Sequence, residues 1–339
     1  MKRNSPVTIV DQFVIPHTAF VNAERQIRQC FAFSGDNAEA EGVAIVRESG
    51  AGKTTVLDSF RSNYQPTLSK EGWEVPILSA TVPPHPTVKS LAGVMLAALK
   101  DPDWERGTEH EKSKRLRVLM KGTGTRMVMI DEFQHFYNQD KQKIMYDVAD
   151  WLKVLIDDTH SVLVVAGLPS CTSVINQNQQ LRRRFLAPVQ LSRFHWEDLR
   201  QRREFMGILK EFNTRISKGY EIPALHTEEM AFRFYCATGG LISLLAKLLR
   251  QAVRNAIDGN KSSIDLEDLN TAHLQAIYSS ETNRARLKPF ESCFPLVQTV
   301  DILDRVSKIG TVIEISSSST RSGFRKTRSE SLDAILTTR

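Results

Sequence analysis

Two short stretches carry residues whose types and spacing can do chemistry. The first, Ser49–Thr55, reads SGAGKTT; the second, some eighty residues later, reads IDE and ends in the paired carboxylates Asp131 and Glu132. Small residues followed by Lys and Thr at a helix start suit a polyphosphate. Backbone N–H groups of Ser49, Gly50, Ala51 and Gly52 can point inward at the phosphates, helped by the partial positive charge of the helix N-terminus. Lys53 then bridges the β- and γ-phosphates, the Thr54 hydroxyl ligates Mg²⁺, and Thr55 completes the loop. The pattern for such loops asks for Gly-x-x-x-x-Gly-Lys-Ser/Thr, and Arg47 stands where its first glycine belongs. That departure bears on loop conformation and hydrolysis rate, although Gly50 and Gly52 still permit close backbone approach. A chance Gly-Lys-Thr at an ordinary strand–helix junction is the competing reading.

The acidic pair closes an apolar run, RMVMI. At a strand's carboxyl end, Asp131 can hold the Mg²⁺ shell while Glu132, as general base, polarises an attacking water. Alone, an apolar strand ending in Asp-Glu is a weak signal; paired with an upstream phosphate loop, it predicts an ATPase with ATP and Mg²⁺ at the site. His135 stands nearby and is given no role.

Those residues need elements to hold them. Val43–Val46 reads as a buried strand feeding the loop, with an amphipathic helix from Lys53 to about Arg61 leaving it. Further strands are expected at 74–81, 126–130, 161–166 and 189–191, separated by helical patterns at 87–100, 111–120 and 142–157. Five strands alternating with helices predict a doubly wound parallel α/β core. Another amphipathic helix, from about Thr18, precedes it. Past Trp196 the pattern changes: helical stripes at 197–215, 227–237, 240–257 and 266–279 follow with no strand between them, and Asp265 reads as an N-cap. The expected organisation is an arm at 1–20, the α/β core at 21–195, an all-helical lid at 196–281 and an extension at 282–339. That extension's SSSSTRSGFRKTRSE segment, 316–330, is basic and of low complexity, hence expected to be disordered.

Composition narrows the classes. The chain has 339 residues, 41% apolar and 25% charged, with no apolar run long enough to span a membrane and no pattern expected of a secretory leader. Cys30, Cys171, Cys236 and Cys293 are widely spaced, as expected of reduced thiols in a cytoplasmic protein. A net charge of +6 leans toward a nucleic-acid partner. Residues 106–126 concentrate basic side chains, with Lys112, Lys114, Arg115 and Lys121 the candidate DNA contacts; the bland reading is a solvated helix face. Aromatics hardly interleave with these charges, so backbone tracking fits better than base stacking.

A five-strand phosphate-loop core, the Asp-Glu pair, a Leu-x-x-Arg-Phe box and a helical lid resemble an AAA+ ATPase. HTAFVNAERQI, IDEFQH, RRRF and TGGLISLLAKLLRQA resemble, more narrowly, the TnsC/TniB family of transposition ATPases, over roughly residues 15–280. The resemblance implies a regulator that assembles as a ring or filament on target double-stranded DNA and connects a target-selection protein to a transposase. It also implies an arginine finger, Arg184 first and Arg183 second. Two positions depart from AAA+ expectation: the sensor-2 arginine site holds Ile242 and Ser243, and the polar sensor-1 site holds Ala166-Gly167. A small-molecule kinase, a helicase loader and a nucleotide switch that rarely hydrolyses are the competing functions.

Overall fold

The computed structural model describes residues 16–34, 41–46, 53–70, 72–138, 142–277 and 287–310. Arg47, Ser49, Gly50, Ala51 and Gly52 of the phosphate loop, and the basic tail 316–330, lie outside the described residues. In chain order the elements are α1 (Thr18–Ala32), β1 (Gly42–Val46), α2 (Lys53–Ser62), β2 (Thr67–Ser69), β3 (Gly72–Glu74), β4 (Ile77–Thr81), α3 (Val88–Ala98), α4 (Glu109–Gly122) and β5 (Met127–Asp131). A 3₁₀ turn, Phe133–Phe136, follows, then α5 (Gln142–Thr159), β6 (Val162–Gly167), α6 (Cys171–Ile175), α7 (Gln179–Arg184) and β7 (Val189–Gln190). The remaining elements among the described residues are helices: α8 (Leu199–Ile216), α9 (Glu228–Thr238), α10 (Ile242–Asp258), α11 (Leu266–Ala276) and α12 (Val300–Ser307).

The main sheet has five strands in the order β4-β5-β6-β1-β7, and every neighbouring pair is parallel. Burial on both faces explains the continuous apolar runs of β1, β5 and β6. Side chains alternate between the two faces. Ala44, Val46, Val128, Ile130, Leu163 and Val165 pack under α3 to α7, whereas Val43, Ile45, Met127, Met129, Val164 and Ala166 pack under α1 and α2. The strand expected at 74–81 is split. Pro76 cannot donate to a ladder, so the sheet strand begins at Ile77, and Thr67–Ser69 and Gly72–Glu74 pair as the separate antiparallel β2–β3.

Residues from Phe194 onward build a second apolar core around Trp196, whose ring lies 5.3 Å from that of Phe232 and 5.4 Å from that of Tyr235. Helix α9 ends at Gly239 and Gly240, with φ of 62° and 70°, and the chain turns by 105° into α10. At Gly240 a Cβ would lie 2.3 Å from the Phe194 carbonyl oxygen, so the close approach of these two backbones demands glycine. The cap at Asp265 forms as the sequence predicts, as a reciprocal box with Asp268.

The expected lid boundary at 281 falls short of this core. Phe290, Ile302 and Val306 belong to it, and buried Arg233 donates to the carbonyls of Pro289 (2.6 Å) and Glu291 (2.9 Å). Three of the four cysteines are buried, and no disulfide forms among the described residues. Among those residues no single helix is long and apolar enough to cross a membrane.

Candidate functional site

Two elements deliver the nucleotide-site residues to one place. Helix α2 starts at Lys53, whose side chain is buried, and Thr54 follows it. The Thr54 hydroxyl donates to Asp131 Oδ2 across 2.6 Å. Asp131 is the last residue of β5, a strand wedged between β4 and β6 with every position buried, so its carboxylate is carried to the sheet's carboxyl edge. Its other oxygen, Oδ1, accepts from the Glu132 N–H at 2.8 Å. That bond accompanies a left-handed backbone at Glu132 (φ 56°, ψ 34°), a conformation costing a non-glycine residue about 1–2 kcal/mol. The turn separates the two carboxylates: Asp131 stays against α2, and Glu132 leaves the strand direction.

Glu132 is held by its neighbours in the 3₁₀ turn. Gln134 Nε2 donates to Glu132 Oε2 at 2.6 Å, and His135 Nε2 stands 3.8 Å from the same oxygen. His135 Nδ1 donates to the Val82 carbonyl at 3.1 Å, which orients the ring. Gln134 uses its other end as well, Oε1 accepting from the Leu168 N–H at 3.0 Å. Gln134 lies inside the IDEFQH stretch but is given no role by the sequence; its position in a short turn after β5 brings it to this site.

The donor set suits Mg²⁺. It offers hard oxygens, one carboxylate and one hydroxyl, and no group of three or more His, Cys, Asp or Glu able to hold a metal alone occurs among the described residues. A cation bound through one or two protein oxygens and completed by phosphates and water matches that arrangement.

The arginine box sits elsewhere. Asn178 caps α7, its Oδ1 accepting from the N–H groups of Gln180 (2.9 Å) and Leu181 (3.0 Å) while Nδ2 donates to Asp150 Oδ1 of α5 (3.1 Å). Phe185 lies against Gly42 at the start of β1, and Leu186 N–H donates to the Gly42 carbonyl (2.9 Å). The phosphate loop leaves the far end of the same strand, after Val46, roughly 13 Å away at the rise of a β-strand. Expectation and structure part at Arg184. Its Nη2 lies 2.5 Å from Asp157 Oδ1 and its side chain is only 15% exposed, because α7 packs on α5; Arg183 is exposed.

The basic helix also needs correcting. Lys112 points inward, buried, with Nζ donating to the Trp104 carbonyl at 2.7 Å. Burial pushes its pKa below the ordinary lysine value, with the cations Lys89 and Arg115 adding to the effect. Arg115 is spent on Asp101 (3.0 Å) and on the carbonyls of Asp103 and Arg106. These two side chains hold the 101–107 loop onto α4 and are removed from the expected DNA contacts. Lys114 and Lys121 remain exposed on the helix.

Comparison with solved structures finds the same architecture. The ORC2 protein of Aeropyrum pernix in ADPNP-ADP complexes matches with a TM-score of 0.57 at 15% identity, over 82% of this chain and 73% of that one. Cdc6p of Pyrobaculum aerophilum gives 0.53 at 13% identity, over 81% and 72%. The ORC1 protein of Aeropyrum pernix, solved in complex with DNA, gives 0.53 at 13%, over 80% and 69%. The fold is that of AAA+ P-loop proteins, an α/β core with a helical lid. No curated protein sequence matches. The family model described as bacterial TniB protein matches residues 9–196, more than half of the chain. This chain is a member of the TniB family.

Proposed function

We propose that this protein is an ATP-dependent regulator of DNA transposition. It binds ATP and Mg²⁺, assembles head to tail as a ring or filament on target double-stranded DNA, and links a target-selection protein to the transposase. The observation that carries the nucleotide part is the 2.6 Å bond from Thr54 to Asp131, which joins the helix of one motif to the strand of the other. In use, Lys53 neutralises the β- and γ-phosphates, while Thr54 and Asp131 hold Mg²⁺, which supplies charge neutralisation on the transferring phosphate. Glu132 takes a proton from the water that attacks the γ-phosphorus; the bond to the β–γ bridging oxygen breaks, releasing ADP and phosphate.

The exposed Arg183 is the finger best placed to act on a neighbouring subunit. It stays charged and can grip two phosphate oxygens at once, and its helix is tied to the amino end of β1, away from the subunit's own loop. Family membership supports the transposition role. The neighbour solved with DNA supports a DNA partner, which Lys114 and Lys121 would contact through phosphates.

The test is Glu132→Gln with ATP and duplex DNA. Metal ligation survives while the base is lost, so the variant should bind ATP, hydrolyse it slowly and accumulate as assemblies on DNA visible by negative-stain microscopy. Hydrolysis at the parent rate would sink the reading of Glu132. Co-purification with a transposase tests the partner.

A further inference from the structure

We propose that Gln134 is the positioning residue for the general base, supplying from the turn after β5 the polar group that the end of β6 lacks. The inference rests on the ATPase reading above. At the end of β6 the chain reads Ala166-Gly167-Leu168-Pro169, with no polar side chain to face a nucleotide. The Gln134 amide occupies that place. Its Nε2 donates to Glu132 Oε2 at 2.6 Å and its Oε1 accepts from the Leu168 N–H at 3.0 Å, so one side chain bridges the Glu132 carboxylate to the neighbouring strand's end.

Gly167 is part of the same device. A Cβ there would stand 2.5 Å from Gln134 Oε1, closer than any real contact, so a side chain at 167 would push the amide out of its place. The bare residue where a polar group is expected is therefore the space in which Gln134 sits.

The consequence for chemistry concerns freedom of motion. Glu132 is partly exposed on a sharp turn, and an unrestrained glutamate samples many rotamers. Holding Oε2 by one charge-assisted bond leaves Oε1 to accept the proton from water, in a carboxylate whose direction is set before the reaction. The Leu168 N–H fixes the amide's orientation, so Nε2 and not Oε1 faces Glu132.

The experiment uses the full chain and three variants: Gln134→Met, which keeps the shape and removes both hydrogen bonds, Gly167→Ala, and the two combined. In steady-state hydrolysis with duplex DNA, Gln134→Met should lower kcat by about tenfold or more, within the range for a mispositioned base, and change KM by less than about twofold. In the nucleotide-free protein the Leu168 amide should exchange hydrogen about fivefold faster, as expected when one hydrogen bond is lost. Gly167→Ala should reproduce both effects, and adding it to Gln134→Met should cause little further loss, because the hydrogen bonds it disrupts are already gone.

Parent-like kcat in both single variants, with Glu132→Gln inactive, would overturn the positioning role and leave the ATPase reading standing. A rise in kcat would overturn it too, since Gln134 would then restrain the base. If Glu132→Gln itself keeps the parent rate, both readings fall.

Discussion

Arg184 and Asp157 form an ion pair of 2.5 Å between α7 and α5, and Lys153 shares the same aspartate at 3.2 Å. The arginine that directly precedes Phe185 is therefore engaged within its own subunit, and the exposed Arg183 is the residue proposed as the finger. Arg183→Ala should leave thermal stability within about 0.5 kcal/mol of the parent, as for an exposed side chain, and reduce hydrolysis in assemblies by as much as about 10³–10⁵. Arg184→Ala should instead cost about 0.5–1.5 kcal/mol in denaturant unfolding, by removing one of the two cations that Asp157 pairs with. Mixing Arg183→Ala with Lys53→Ala should restore some turnover, since one interface then pairs an intact loop with an intact finger. Folded, co-assembling mutants without rescue would rule out a shared site.

The Thr54–Asp131 bond separates hydroxyl chemistry from side-chain shape. Thr54→Val should weaken the Mg²⁺-dependent part of ATP affinity by about tenfold or more, while Thr54→Ser keeps most of it. Titration of a fluorescent ATP analogue with and without Mg²⁺ reads the difference. Equal Mg²⁺ enhancement in the valine variant would exclude Thr54 as a ligand.

On the basic helix, exposed and buried lysines should behave differently. Lys114→Ala with Lys121→Ala should weaken binding to every duplex alike and lower the salt slope by about 0.9 for each phosphate contact removed. Lys112→Ala should leave that slope unchanged and lower the melting temperature, because the Trp104 carbonyl loses its donor. A salt slope unchanged by the exposed pair would move the DNA surface elsewhere, with Arg200–Arg203 next.

Asn178 both caps α7 and ties it to Asp150, so it governs where the arginine box points. Replacing it with alanine should cost about 1–2 kcal/mol and reduce hydrolysis in assemblies while leaving ATP affinity in the monomer unchanged. Loss of monomer affinity would place Asn178 at the nucleotide itself.

Much of this molecule is readable from its residues in order. Continuous apolar runs over 43–46, 126–130 and 161–166 announce strands buried on both faces, because only a parallel sheet covered on both sides needs them. Helical stripes after Trp196 announce a domain without strands, and the cap at Asp265 is local chemistry. The pairing of Thr54 with Asp131 is also foreseeable, since the motif types imply that their elements meet. Charge, by contrast, does not declare its direction. Lys112 and Lys114 look equivalent in sequence, yet helical geometry turns one onto the Trp104 carbonyl and leaves the other in solvent. Arg183 and Arg184 divide in the same way, once α7 is laid on α5. Gln134 and Gly167 are 33 positions apart, one inside IDEFQH and one at the end of β6, and only the parallel pairing of β5 with β6 puts the amide into the space the glycine leaves. Local pattern decides which elements form; the packing of those elements decides which polar side chains are used up inside the fold and which are left for function.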